Sequence, residues 1–345
     1  LTTESRELCT AARRCRGYRG AAHRKVSTHR FCAAKLLALK NIGFLMMYRP
    51  QFLCPGDSVS IVSPASIINP DYVKGATGVL ESWSLGVTVS SHCLDHSGVY
   101  SGTIDERMND FRHALYDPAV KAVLCSRGGY GAVHLLDGLT DDIARNPKWI
   151  IGFSDISALH ALCVSRGVMS LHAPMCKHLT TEPADNRCTH YLRQILFGEI
   201  PEYKENPHPL NRCGEGRGML VGGNMAVLCG LISTPYDIFL PGTVLFIEDI
   251  AEPPYKIERM LYNLKLSGRL ASLSGLIVGR FTEYTENEGL GGTLCELTRK
   301  MVDEYDYPVC FDFPVGHVSD NLPMIEGADV VFSVGEQSVD LSFCT

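Results

Sequence analysis

The 345-residue chain is 45% hydrophobic and 20% charged, with a formal net charge of −6, which suits a globular protein with room for two domains. Beyond the extreme N-terminus no basic stripe is interleaved with aromatics, and there is no apolar run long enough to span a bilayer; a nucleic-acid partner and a membrane-spanning helix are therefore excluded. The 14 cysteines are scattered, without a C-x-x-C pair or a zinc-ligand spacing, which predicts free thiols in a reducing, cytoplasmic compartment and no metal site.

Residues 1–47 form a basic leader. Within it Arg6, Arg13, Arg14, Arg16, Arg19, Arg24, Lys25, Arg30, Lys35 and Lys40 face only Glu4 and Glu7, and Met46 or Met47 offers an alternative start. The leader reads as a disordered or non-native extension, with a transit peptide as the competing reading. From there the pattern alternates. Strands are predicted at 58–63, 87–90, 120–125 and 149–153, and helices at 71–85, 104–116 and 156–165, the last of them amphipathic. That alternation predicts an N-terminal α/β domain over 48–182, with a mostly parallel sheet flanked by helices and ligands gathering at the strands' carboxyl ends. A polar stretch with Pro183, Pro201, Pro207 and Pro209 reads as a linker over 183–216. The second domain, 217–345, has predicted strands at 244–248, 275–281 and 308–313, and helices at 257–266 and 293–305. A terminal hairpin is predicted from 330–334 and 338–343.

Four segments offer chemistry. In Gly152-Phe153-Ser154-Asp155 an apolar strand runs straight into a helix. A serine at such a junction is exposed by the tight turn and faces the helix's free N–H groups; the competing reading is that Ser154 or Asp155 caps the helix. Arg127-Gly128-Gly129-Tyr130-Gly131 follows another buried strand. Its glycines allow backbone amides to approach a ligand, or they simply form a turn, and it lacks the Lys and Ser/Thr of a P-loop. Glu248-Asp249 ends one strand of the second half and Gly316-His317 follows another. A serine hydroxyl needs a base, and an imidazole serves when a carboxylate fixes its tautomer.

Taken in order, these residues resemble the serine L,D-carboxypeptidases, also called muramoyltetrapeptide carboxypeptidases, and their microcin-C immunity relatives. The resemblance spans about 55–343. It adds Gly56-Asp57, Ser63-Pro64, His172-Ala173-Pro174-Met175, Gly222-Gly223-Asn224 and Pro254-Tyr255-Lys256-Ile257-Glu258-Arg259-Met260-Leu261 to the segments above. It implies a parallel N-terminal α/β domain and a swivelling, β-rich C-terminal α/β domain, with the site between them. Ser154 would be the nucleophile, Glu248 the acid and His317 the general base. Backbone N–H groups of Gly128, Gly129 and Asp155 would form the oxyanion hole, and Arg127, Tyr130 and Asn224 would contact substrate. The implied reaction releases terminal D-alanine from murein tetrapeptide during peptidoglycan recycling, without metal or cofactor, in a cytoplasmic homodimer. Asp249 and Glu252 are rival acids. Ser157 and Ala173 depart from the threonine and glycine usual in the family, which bears on substrate fit and leaves the triad untouched. Three alternatives remain: a microcin-C-type peptidyl-nucleotide hydrolase with the same triad, a cysteine hydrolase using Cys125, and a noncatalytic α/β binding protein.

Overall fold

The computed structural model describes residues 47–286 and 288–344. The expectation placed on the basic leader lies, but for Met47, outside the described residues.

The apolar runs of the first half form β1 (Ser58–Val62), β2 (Gly86–Val89), β3 (Val120–Cys125), β4 (Trp149–Gly152) and β5 (Ser170–His172), joined mainly by α1 (Pro70–Ser82), α2 (Ile104–Tyr116), α3 (Leu136–Arg145) and α4 (Ser157–Ser165). Local chemistry marks the helix starts. Asn69 caps α1 by accepting from Asp71 N–H, with Pro70 at the first position, and Thr103 with Glu106 forms a reciprocal capping box on α2. Further on come α5 (Cys176–Thr181), α6 (Arg187–Leu196), β6 (Glu202–Glu205), β7 (Gly214–Asn224), α7 (Met225–Gly230), β8 (Val244–Ile250), α8 (Pro254–Leu266), β9 (Gly275–Thr282), α9 (Leu294–Met301), β10 (Val309–Cys310), β11 (Met324–Glu326), β12 (Asp329–Val334) and β13 (Val339–Cys344).

The strands build two sheets, ordered β11-β5-β4-β3-β1-β2 and β10-β9-β8-β7-β12-β13-β6. The first is parallel except for β11, which returns from the second half and pairs antiparallel with β5. In the second, β7 to β10 are parallel while β12, β13 and β6 are antiparallel. The mixed, β-rich second half and its terminal hairpin match expectation, and Met46–Thr345 clusters as one compact unit.

Two expectations change. The 183–216 stretch is no plain linker, because it contains α6 and β6. The face of α6 that buries Cys188, Leu192, Ile195 and Leu196 keeps helical spacing, but the flanking prolines disguise it. Strand β6 is an edge strand with only Tyr203 buried, so it shows no alternation. Helix α4 is not amphipathic either. Every residue from Ser157 to Val164 is buried, because one core packs Ala158, Leu159 and Leu162 together with Val221, Met225 and Leu228 of the second half. A helix covered on all sides needs no polar face.

Candidate active site

The chain leaves β4 at Gly152, passes through Phe153 in extended geometry, and reaches Ser154 with φ +67° before entering α4 through a short 3₁₀ turn. A left-handed conformation at a non-glycine residue costs about 1–2 kcal/mol. It persists here because the fully buried strand and helix on either side leave the turn no freedom. No side chain caps this helix entry, so the capping reading of Ser154 and Asp155 does not hold. The Asp155 carboxylate turns away instead and accepts Ala132 N–H at 2.8 Å. Burial raises its pKa, while that N–H and Arg107 pull it back.

The glycine turn lies directly against this elbow. A Cβ on Gly128 would stand 2.9 Å from Ser154 Cβ and 3.1 Å from Asp155 N, and Gly129 has φ +98° with Ser66 Oγ in the space a Cβ would take. Tyr130 N–H donates to Ser66 Oγ at 3.1 Å, and Ser66 N–H donates to the Gly128 carbonyl at 3.2 Å. Buried Arg107 holds the far end of the turn, donating from Nη1 to the carbonyls of Gly131 (3.0 Å) and Pro64 (2.6 Å). Among the described residues, the N–H groups of Gly128, Gly129 and Asp155 have no protein acceptor. Three fixed, unspent donors beside a serine hydroxyl suit a developing oxyanion.

From the second sheet comes the partner pair. His317 Nδ1 lies 2.7 Å from Glu248 Oε2; since a carboxylate only accepts, Nδ1 carries the proton and Nε2 presents its lone pair. Glu248 is 0% exposed. The register between β8 and β9 shifts between Ile247 and Asp249, so the strand is irregular at Glu248. Gly316 makes the approach possible, because with φ +125° its absent Cβ would sit 2.9 Å from Glu248 Cβ. The neighbouring acids are spent elsewhere. Asp249, its pKa pushed up to about 6 chiefly by burial, accepts from Asn224 Nδ2 and the N–H groups of Ala226 and Ile250, while Glu252 pairs with Lys256 at 3.3 Å.

Ser154 and His317 face one cavity of about 690 Å³, whose wall includes Arg127, Gly128, Gly129, Phe153, Lys177 and Glu182. Phe153 and His317 meet edge to face with ring centroids 4.9 Å apart. No direct bond joins the serine hydroxyl to the imidazole among the described residues, and such bonds tighten when substrate excludes water. Arg127 reaches the cavity with one guanidinium nitrogen fixed on the Ile67 carbonyl at 2.9 Å.

The structure does not bring Tyr130 and Asn224 to the cavity. Tyr130 is 54% exposed and packs outward against Tyr100 and His134. Asn224 is buried with both ends of its amide engaged, Nδ2 on Asp249 and Oδ1 accepting Val227 N–H as the cap of α7. Cys125 is also excluded as a nucleophile, since it is fully buried and its thiol is held protonated by desolvation. The cavity residues Tyr72, Lys177, His178, Glu182 and Glu283 escaped the sequence reading. Tyr72 stands on α1, Lys177, His178 and Glu182 on and after α5, and Glu283 after β9, with no motif that joins them in sequence. One His/Asp/Glu group, His92, Asp95 and Glu106, has ligand atoms within 4.8 Å of each other, and none of its members lines the cavity.

Residues 59–173 match the family model for the LD-carboxypeptidase N-terminal domain and residues 217–332 that for the C-terminal domain. The chain is 32% identical to the "Probable murein peptide carboxypeptidase" of Bacillus subtilis, covering 86% of this chain and 94% of the relative. To the murein tetrapeptide carboxypeptidase of Pseudomonas aeruginosa it is 28% identical, covering 76% and 89%. The crystal structure of a muramoyltetrapeptide carboxypeptidase from Oxalobacter formigenes superposes with a TM-score of 0.77 at 25% identity, over 83% of this chain and 98% of that one.

Proposed function

The chain belongs to the LD-carboxypeptidase family, and on that premise we propose that Ser154, Glu248 and His317 act as a catalytic triad that removes terminal D-alanine from murein tetrapeptide. The observation that carries the assignment is the 2.7 Å contact of His317 with Glu248 on the same cavity as a serine at φ +67°.

His317 Nε2 takes the Ser154 proton as Oγ attacks the carbonyl that joins the L-configured centre of the third residue to D-alanine. Glu248 keeps the accepting nitrogen unprotonated beforehand and stabilises the imidazolium afterwards. The tetrahedral oxygen is received by the N–H groups of Asp155 and the Gly128-Gly129 turn. His317 then protonates the departing amine, and water repeats the sequence on the acyl-enzyme. A carboxypeptidase must also hold the free carboxylate of the residue it removes. Arg127 directly precedes the oxyanion turn, is anchored on Ile67, and suits that task as a fixed guanidinium fork.

The cysteines Cys54, Cys93, Cys125, Cys163, Cys176, Cys188, Cys213, Cys229, Cys295, Cys310 and Cys344 are free, which supports action in the reducing cytoplasm on recovered wall peptides. No helix among the described residues is long and apolar enough to cross a membrane. Association as a homodimer is part of the same proposal.

The test is mass spectrometry of murein tetrapeptide incubated with wild type and with Ser154→Ala. Wild type releases D-alanine, also in the presence of a chelator, and the variant does not. Absence of D-alanine with wild type, or its release by Ser154→Ala, overturns the assignment. Cleavage of a peptidyl-nucleotide in the absence of tetrapeptide cleavage moves the protein to the microcin-C-type branch.

A further inference from the structure

The loop that carries His317 is closed at its base but lightly held along its arc. At the base, Leu322 N–H donates to the Pro314 carbonyl at 2.8 Å and Gly316 N–H donates to Asn321 Oδ1 at 2.9 Å. Between those points run His317, Val318, Ser319 and Asp320, none of them fully buried. Among the described residues, the only backbone hydrogen bond inside that arc is Val318 N–H to the Gly316 carbonyl at 2.9 Å. The bond to Glu248 fixes the His317 ring and leaves the three residues beyond it to other contacts.

Those contacts come from the stretch between α5 and the start of α6. Ser319 Oγ donates to Glu182 Oε2, and Asn186 Nδ2 donates to the Ser319 carbonyl at 3.4 Å. Arg187 grips Asp320 with two parallel bonds, Nε to Oδ1 at 2.6 Å and Nη2 to Oδ2. The same guanidinium holds Glu205, the last residue of β6, through Nη1 at 2.7 Å and Nη2 at 3.1 Å, so its planar fork is fixed from two sides. Asp320 and Glu205 keep Arg187 above the ordinary guanidinium range, and Arg187 in turn holds Asp320 below the ordinary carboxyl range. Helix stability does not explain this arginine. It is the first residue of α6, where the positive end of the helix dipole disfavours a cation. Substrate contact does not explain it either, because neither Arg187 nor Asp320 lines the cavity.

We propose that Arg187 is a positioning residue for the general base: by clamping Asp320 it fixes the arc from Gly316 to Asn321, and with it the place of His317 between Glu248 and Ser154. Glu205 sets the plane of the fork, and the Asn186 side chain, which accepts the N–H groups of Cys188 and Thr189, sets the backbone from which Arg187 reaches. Both members of the clamp are partly exposed, so it adds little to global stability. Its effect falls on catalysis, where a small displacement of the base is costly. This deepens the triad reading and rests on it.

The test is a double-mutant cycle on the full chain with Arg187→Ala, Asp320→Ala and both together. It is read by D-alanine release from murein tetrapeptide, by urea midpoints, and by the downfield Nδ1 proton of His317 in NMR spectra of the enzyme without substrate, identified by its absence from His317→Gln. Each single change should lower kcat by roughly 10- to 100-fold, the scale of a misplaced catalytic group. KM should stay within about threefold, because the cavity wall is untouched, and the urea midpoint of Asp320→Ala should stay close to that of wild type. The double variant should lose no more than the worse single one. Asp320→Glu, which keeps a carboxylate for the fork, should recover most of the loss. The downfield resonance should be sharp in wild type and broadened or lost in both alanine variants. Its unchanged persistence in both, or losses in kcat that simply multiply, overturns the proposal. Should Arg187→Ala not fold, since it leaves two carboxylates facing each other, Asp320→Ala and Asp320→Glu decide it alone. The resonance requires no turnover, so wild type that shows it but releases no D-alanine refutes the function, and the clamp is then judged by the spectra of the variants.

Discussion

Replacing Ser154 by glycine should make the protein more stable than replacing it by alanine, although both changes abolish turnover. The serine is held at φ +67°, where an L-residue with a Cβ pays about 1–2 kcal/mol. Alanine keeps that penalty and loses only the hydroxyl. Glycine loses the penalty but returns about 0.5–1 kcal/mol through the greater freedom of its unfolded chain, for a net gain over alanine near 0.5–1 kcal/mol. For a unit of this size the difference corresponds to about 1–2 °C in Tm, within reach of differential scanning calorimetry and better separated by urea midpoints. If Ser154→Gly unfolds at or below the midpoint of Ser154→Ala, the left-handed serine is not strained and the elbow argument fails.

Glu248→Gln preserves shape while allowing the wrong His317 tautomer, so kcat should fall by roughly 10⁴-fold with folding intact; an activity within tenfold of wild type would remove Glu248 from the triad. His160 is buried, with Nδ1 on Ser170 Oγ and Nε2 on the Gly152 carbonyl, and its pKa is lowered to about 4 by desolvation. A folded pKa below the unfolded value near 6.5 means that stability is complete above that value and is lost as pH falls toward 4, by roughly 3 kcal/mol. Urea midpoints should drop over that window less steeply in His160→Gln than in wild type, and equal slopes would count against the neutral ring. Glu326 has the opposite sign. Burial raises its pKa well above the ordinary carboxyl range against a single N–H from Gly222, so its stabilising neutral form is fully present below the unfolded pKa, and stability declines as pH rises toward the folded one. Glu326→Gln should flatten that decline above the ordinary carboxyl pKa, and an unchanged pH profile would contradict it.

The parts of the site that could be read from the chain are those made by neighbours in sequence. An apolar strand ending at Gly152 and a helix beginning at Ser157 leave four residues for the turn, and consecutive glycines after β3 announce backbone amides free to meet a ligand. Burial was legible only where periodicity is simple. Helix α4 carries serines and a histidine among its nine residues, a mixed pattern that sequence cannot distinguish from an amphipathic face. The structure gives Ser157 to the Asn224 N–H and His160 to Gly152 and Ser170. Asn224 was expected at the substrate only through the family resemblance, whereas here it caps a helix.

Sequence alone established the alternating α/β plan, the serine at a strand-to-helix junction, and the serine, acid, histidine order. The first two depend on side-chain pattern and turn chemistry within a few residues of each other, and the third on the order of motifs along the chain. Only the tertiary structure decided which of Glu248, Asp249 and Glu252 meets His317. All three lie within five consecutive positions, and the choice is made by the capping network that consumes Asp249 and by a glycine 68 residues downstream of Glu248 that is small enough to admit the imidazole. Each of those is a contact between segments far apart in the chain. Local propensity carries no information about them, because they exist only once both sheets have packed around α4.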